Sequence, residues 1–202
     1  DQLLEVRVPA GATYENIVVT DISSGLSDQT NFPFLNSFGG NHGISAASLE
    51  GQPDFNSESG LYDLCLCDFD GDGRTDVATA NDASTTVSIL ANTTPAPGLA
   101  NISFNRIPYN IGTRSIHSKC GDLNGDGKPD LVITEGGANG DRLFVFRNTS
   151  AAAGAFTFSI QSIALTGKKV KRTEIADVDG DGKPELIVTN QTGNTVSILV
   201  NQ

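Results

Sequence analysis

The stretch DFDGDGRTD, residues 68–76, places four aspartates and two glycines within nine positions. Related stretches follow as DLNGDGKPD at 122–130 and DVDGDGKPE at 177–185. The three segments hold eleven of the 24 acidic residues in a chain of net charge -11. The acidity is therefore local to three short loops and is not a general property of the surface. Because phosphate binding requires clustered positive charge, this distribution argues against a nucleic-acid partner.

The acidic loops mark a repeat of about 55 residues. Their first aspartates, Asp68, Asp122 and Asp177, are spaced by 54 and 55 residues. A β-branched run follows each loop, and after a polar turn comes a second run such as TVSILAN at 86–92. Two further strand-like runs separate this second run from the next loop. Four short strands in roughly 40 to 55 residues are typical of a propeller blade. The sequence predicts an all-β fold, a partial β-propeller of about three four-stranded blades.

The predicted propeller region spans 39–202, and residues 1–38 form a separate short β segment that cannot bury a core alone. The repeats within the propeller region are divided at 44–101, 102–155 and 156–202. Three blades cannot close a ring, since propellers usually contain four to eight. Either further sequence or a second copy of the chain is therefore expected to complete it. The segment GISAASLE at 43–50 occupies the slot of an outermost strand.

The acidic loops have the chemistry of calcium sites. Numbered from the first aspartate, each offers side-chain oxygens at positions 1, 3, 5 and 9 and a backbone carbonyl at position 7. Calcium takes six to eight such oxygens, and the glycine at position 6 permits the sharp turn around the ion. We expect an apolar residue at position 2 to pin each loop to the core. The predicted ligands of about three calcium ions are Asp68, Asp70, Asp72, Arg74, Asp76, Asp122, Asn124, Asp126, Lys128, Asp130, Asp177, Asp179, Asp181, Lys183 and Glu185.

Other metal sites fit the loops less well. An EF-hand requires a bidentate acid at position 12 and flanking helices, but position 12 is Thr79, Ile133 or Val188, each within a predicted strand. Magnesium demands octahedral geometry and retains its waters. Zinc would require histidine or cysteine in the loop, and the three loops contain neither.

The D-x-[DN]-G-D-G-x-x-[DE] loops and the V-S-I-L-x-N strands that follow resemble FG-GAP/VCBS repeats over roughly 44–202. The resemblance implies a calcium-binding β-propeller like those of integrin α-subunit heads, some fungal lectins and secreted bacterial proteins. It also implies a secreted or cell-surface location. Glu185 replaces the usual aspartate, so the third site is expected to bind through a water or more weakly. The segment VPAGATYENIVVTDISSGLS, residues 8–27, resembles the last strands of an IPT/TIG Ig-like domain.

The three cysteines form no recognisable disulfide framework. Cys67 and Cys120 align with small or apolar residues of the other repeats. We therefore predict that Cys65, Cys67 and Cys120 are buried free thiols.

The sequence predicts a binding protein and not an enzyme. It has no nucleophile elbow and no phosphate-binding glycine loop, and outside the three loops no pair of carboxylates stands out for glycoside hydrolysis. We predict that segments leading into the innermost strands form a basic ligand face beside the calcium loops, with His117 facing solvent. The predicted ligand-binding residues are Tyr62, Arg114, His117, Lys169, Lys171 and Arg172. The alternative is that these are ordinary solvated loop charges.

The favoured function is a calcium-dependent adhesion module that holds a glycan or protein ligand. A calcium-rigidified spacer in a large surface protein is the second possibility. Part of a polysaccharide-processing enzyme is the third. No membrane insertion is expected, because no apolar run approaches the roughly 18 residues of a membrane span.

Overall fold

The computed structural model describes residues 18–20, 27–29, 51, 54–95, 102–138 and 140–202. The chain divides into two compact units, Asp1–Pro53 and Asp54–Gln202, whereas the sequence placed the division after residue 38. In the first unit β1 (Val18–Thr20) pairs with β2 (Ser27–Gln29) in antiparallel fashion. The strand predicted at 43–50 lies outside the described residues. Among the residues that the structure describes, no helix has the length and apolarity to cross a membrane.

The second unit is built from three antiparallel sheets that follow one another along the chain, and we call each sheet a blade. Blade 1 contains β3 (Leu61–Cys67), β4 (Asp76–Asn81), β5 (Thr86–Asn92) and β6 (Phe104–Asn110). Blade 2 contains β7 (Ser115–Gly121), β8 (Asp130–Glu135), β9 (Arg142–Asn148) and β10 (Phe158–Ala164). Blade 3 contains β11 (Val170–Ala176), β12 (Glu185–Asn190) and β13 (Thr195–Leu199). Strands pair in chain order within every blade. The all-β prediction and the partial, open propeller arrangement are confirmed.

The blades are offset from the repeats as the sequence divided them. Strand β6 pairs with β5 along its whole length, from Thr86 opposite Asn110 to Asn92 opposite Phe104. It is therefore the outermost strand of blade 1, although its sequence lies in the second predicted repeat. Strand β10 completes blade 2 in the same way.

Blade 2 is buried on both faces because consecutive apolar residues of its strands, such as Leu131 and Val132, point to opposite faces of the sheet. Leu131 and Phe146 belong to the cluster shared with blade 1, which also contains Phe69 from the first acidic loop. Val132 belongs to the second cluster, shared with Val188 of blade 3. Two sheets packed in this way on a central one give the unit its core.

The apolar residue at position 2 of the first two loops packs toward the following blade. Phe69 is fully buried in the first cluster, and Leu123 packs against the second. Val178 has no following blade within the described part of the chain and is exposed, as are Val196 and Ile198 on β13. The predicted pinning of the loops to the core therefore requires a neighbouring blade.

His117 joins the innermost strands of all three blades. Its Nδ1 lies 2.5 Å from Oδ2 of Asp63 on β3, and its Nε2 lies 2.9 Å from the carbonyl oxygen of Thr173 on β11. Only 8% of the residue is exposed, so the prediction of a solvent-facing histidine is wrong. The residues at the aligned positions 63 and 117 are therefore partners in one contact between blades.

The prediction of three free thiols is wrong for two of the cysteines. Cys67 at the end of β3 forms a disulfide with Cys120 on β7, and their Cα atoms are 6.5 Å apart. The bond crosslinks blades 1 and 2. Cys65 is a free cysteine, and burial raises the pKa of its thiol to about 12.

Removing the His117 side chain should destabilise the unit. In H117A the carboxylate of Asp63 loses its ring partner and the carbonyl of Thr173 loses its donor, so we expect the free energy of unfolding to fall by about 2 kcal/mol. Urea unfolding in calcium measures the change. The matched control is R114A, three residues earlier, because the Arg114 side chain is half-exposed and lies 3.7 Å from Asp82. An exposed pair of this kind contributes at most about 1 kcal/mol. Equal losses in the two variants would contradict the bridging role.

Candidate metal centre

The acidic loops occupy equivalent places in the three blades. Each connects the innermost strand of a blade to its second strand: β3 to β4, β7 to β8, and β11 to β12. The innermost strands contact one another in the order β3, β7, β11. The three loops therefore lie side by side at one end of the unit.

Position 1 of each loop organises the turn. The carboxylate of Asp68 accepts hydrogen bonds of 2.8 Å from the backbone N–H groups of both Gly71 and Gly73. Both glycines have left-handed φ angles, +73° and +83°, which residues with a Cβ rarely adopt. A Cβ on Gly71 would meet no neighbour within 4 Å, so backbone conformation and not space selects glycine there.

The other two loops reproduce this arrangement. Asp122 accepts from Gly125 and Gly127 at 2.8 and 2.7 Å. Asp177 accepts from Gly180 and Gly182 at 2.7 and 2.9 Å. The spacing in the sequence thus corresponds to one local structure formed three times.

Position 9 ties each loop to the sheet. Oδ2 of Asp76 accepts from the N–H of Phe69 at 2.9 Å, and Oδ1 accepts from the N–H of Asn92, at the end of β5, at 2.8 Å. Asp130 makes the same pair of contacts in blade 2, with Leu123 at 3.0 Å and Asn148 at 2.7 Å. One buried carboxylate therefore joins the loop, the second strand and the third strand.

Glu185 takes this position in the third loop with one difference. Its Oε2 accepts from the N–H of Val178 at 2.9 Å, so the longer side chain preserves the contact within the loop. Its Oε1 is buried and has no hydrogen-bond partner, and only 1% of the residue is exposed. An unpaired buried carboxylate oxygen is costly, and a cation bound in the loop would satisfy it.

Two loops bring three carboxylates together. One oxygen each from Asp68, Asp70 and Asp76 lie within 4.8 Å of one another, and the same holds for Asp177, Asp179 and Glu185. The second loop carries Asn124 at position 3, whose amide Oδ1 accepts from the N–H of Asp126 at 3.0 Å. The second loop therefore has one negative charge fewer than the other two.

Burial and mutual repulsion disfavour the charged carboxylates. Burial raises the pKa of Asp76 to about 6, and the neighbouring charges of Asp70 and Asp68 act in the same direction. Burial likewise raises the pKa of Asp130 and of Asp70. A divalent cation would remove both penalties. The acidic, oxygen-only donor set and the unpaired Oε1 of Glu185 fit a hard cation such as calcium.

Two of the basic residues at position 7 contact the ends of the third strands with their side chains. The guanidinium of Arg74 contacts the carboxylate of Asp72, and its Nε donates to the carbonyl of Asn92 at 2.9 Å. Lys128 Nζ donates to the carbonyl of Ser150 at 2.6 Å. These side chains help to hold the loops against the ends of the third strands.

The predicted ligand-face residues lie away from the acidic loops. Tyr62, Arg114 and Lys169 are at the start of the innermost strands, and the loops follow the other end. A seven-residue strand is about 20 Å long, so the expectation that this face lies beside the calcium loops is wrong. Tyr62 is 67% exposed, and Lys171 is half-buried.

Two of the predicted residues do come together. His117 and Arg172 line a cavity of about 370 Å³ formed by the innermost strands, together with Lys119. Arg172 and Lys119 both contact the carboxylate of Glu174, at 2.9 and 2.7 Å. Sequence reasoning did not single out Lys119 or Glu174, because neither repeats between blades.

Comparison with known families agrees with this architecture. Residues 68–133 and 122–188 each match the model of the FG-GAP-like repeat. Both matches begin at position 1 of an acidic loop and reach the strand that follows the next loop. A search of curated proteins found no significant match. Since the two matches together cover more than half of its length, the chain belongs to the FG-GAP-like repeat family.

Proposed function

We propose that the chain is a calcium-binding propeller module that holds a glycan or protein ligand outside the cell. The calcium assignment rests on the buried Oε1 of Glu185. This atom has no hydrogen-bond partner, although Glu185 belongs to a cluster of three carboxylates. Calcium takes oxygen ligands of this kind. When bound, the ion would neutralise the loops and crosslink their ends.

The chain's own residues divide the work in each loop. The side-chain oxygens at positions 1, 3 and 5 would face the ion from the turn, and the carboxylate at position 9 would reach it from the start of the second strand. The N–H groups of the two glycines orient the position 1 carboxylate. The loop in blade 2, with Asn124 in place of an acid, supplies less negative charge and should bind more weakly than the loop in blade 1.

Two features support an extracellular location and a binding role. The Cys67–Cys120 disulfide is typical of oxidising compartments. The cavity beside His117 is lined by Lys119 and Arg172. These two cations share one carboxylate, that of Glu174, which leaves positive charge for an acidic ligand group. FG-GAP-like repeats also serve as structural modules, and the crosslinks between blades favour a rigid spacer as the second candidate.

The described part of the chain offers little support for catalysis. A glycoside hydrolase requires two available carboxylates across a cleft. Among the residues that line the cavity beside His117, Asp63 is the one carboxylate, and it is paired with His117. We therefore propose a non-catalytic module.

Calcium should raise the melting temperature, and the rise should depend on pH. A ligand at a thousandfold excess over its Kd adds about 4 kcal/mol per site. Asp76 has a folded pKa of about 6, raised from 3.8, so without metal its contribution to stability is present below about pH 4 and is lost as the pH rises through 6. Calcium binding offsets this loss. We expect the difference in melting temperature between calcium and chelator to be larger at pH 7 than at pH 5.

Differential scanning calorimetry with and without chelator measures this difference. The triple variant D68N/D122N/D177N is the control, since it removes the charge at position 1 and keeps one of the two side-chain oxygens that accept from the glycine N–H groups. Its melting temperature should respond little to calcium. A wild-type melting temperature that is the same in calcium and in chelator would contradict the calcium assignment.

A glycan array tests the ligand proposal, with the calcium-loaded protein as probe. We expect binding to acidic glycans that is lost in chelator and weakened in K119A/R172A, because the two cations line the cavity of His117. The control R106A removes a cation from β6, where Arg106 contacts Glu58. A blank array with folded, calcium-loaded protein would favour the spacer and direct the search to protein partners.

A further inference from the structure

Asn148 joins the acidic loops of blades 1 and 2. Its side-chain Nδ2 donates to the carbonyl of Phe69, position 2 of the first loop, at 2.7 Å. The same group donates to the carbonyl of Pro129 in the second loop at 3.1 Å. Its backbone N–H donates to Oδ1 of Asp130, position 9 of the second loop, at 2.7 Å. One residue at the end of β9 therefore contacts two predicted ion sites.

Asn201 repeats the bridge one blade further on. Its Nδ2 donates to the carbonyl of Leu123, position 2 of the second loop, at 2.6 Å. It also donates to the carbonyl of Pro184 in the third loop, at 3.2 Å. The three loops are thus connected in series by two asparagine side chains.

Asn92 is the equivalent residue of blade 1 and makes only the local contact. Its Nδ2 donates to the carbonyl of Thr75 in its own loop at 2.9 Å. The described part of the chain contains no acidic loop before the first one. Asn92 therefore shows what this asparagine does within a blade when the contact to a preceding loop is missing.

A second contact from blade 2 reaches a predicted ligand of blade 1 directly. The N–H of Gly154 donates to Oδ2 of Asp70 at 2.8 Å. Asp70 is position 3 of the first loop and is buried. The geometry of the first loop is therefore set partly by residues of the next blade.

We propose that the ion sites of neighbouring blades are coupled through Asn148 and Asn201, so that filling one loop raises the affinity of the adjacent loop. This inference rests on the proposed calcium function. The two asparagines are positioning residues, since neither supplies a predicted ligand to the ion. By linkage the coupling is reciprocal between adjacent sites.

The physical basis is the entropy of ordering the loops. The clustered carboxylates of each loop repel one another, and an ion must fix the backbone of the whole loop as it binds. A filled second loop fixes Asp130, and through it the backbone and side chain of Asn148. The peptide of Phe69 is then held in place before the first loop binds its ion. Less ordering remains for the second binding event, which is positive cooperativity.

The coupling should be stronger between blades 1 and 2 than between blades 2 and 3. Asp130 accepts from the N–H of Asn148, which links the carboxylate to the bridging residue. The corresponding oxygen of Glu185, Oε1, has no hydrogen-bond partner. Asn201 therefore reaches the third loop only through the carbonyl of Pro184.

Calcium titration followed by NMR tests the coupling site by site. The N–H groups of Gly73, Gly127 and Gly182 each donate to the position 1 carboxylate of their own loop, so each signal reports one site. We expect D122N, which weakens the second site, to raise the calcium midpoint of the Gly73 signal about fivefold. In an N148A background the same substitution should leave the Gly73 midpoint unchanged.

N92A is the matched control. It removes the equivalent asparagine side chain of blade 1, which makes only a contact within its own loop, and leaves the bridge of Asn148 intact. D122N should therefore raise the Gly73 midpoint by the same factor in N92A as in the wild type. A purely structural role of these asparagines would give the same result in N92A and N148A.

The Asn201 bridge provides a second test. Because the Asn201 side chain is half-buried, this test does not depend on whether N148A folds. D177N should raise the calcium midpoint of Gly127 by a smaller factor, and N201A should abolish that rise. The proposed coupling is wrong if D122N leaves the calcium midpoint of the Gly73 signal unchanged in the wild type. It is also wrong if D122N raises that midpoint by the same factor in N148A. If none of the three glycine signals responds to calcium, the proposed function itself fails.

Discussion

The buried carboxylate at position 9 of each acidic loop is the interaction on which the rest of the unit depends. In blade 1 it is Asp76, which holds the loop through the N–H of Phe69 and the third strand through the N–H of Asn92. Its burial disfavours the charge and raises its pKa to about 6. The same residue that organises the blade is therefore one that calcium would stabilise. The proposed cation site and a structural joint therefore coincide in this fold.

Contacts between blades add to those within them. The apolar faces of blade 2 pack on both neighbours, the Cys67–Cys120 disulfide crosslinks blades 1 and 2, and His117 contacts all three innermost strands. Asparagines at the ends of the third strands extend the connection to the loops. Apolar packing stabilises the unit but is not directional. The polar and covalent contacts fix one relative placement of neighbouring blades.

The sequence predicted the features that recur in every repeat and missed the contacts that occur only once. The loop positions and the strands follow from local spacing, and the left-handed glycines have the conformation that this spacing requires. Cys67 pairs with Cys120, however, and not with an equivalent position of its neighbour, so alignment of the repeats concealed the disulfide. The same comparison made Asp63 and His117 look like variable surface positions. Each innermost strand runs from the predicted ligand face to the acidic loop, so the two lie at opposite ends of the strand and not side by side.

The number of bound ions tests the central claim most directly. Native mass spectrometry of metal-free protein titrated with calcium would count them for each chain. The account predicts three calcium ions per chain, and two in the variant D68N, which removes the charge at position 1 of the first loop. A chain that stays folded and binds none, or a D68N variant that still binds three, would contradict it.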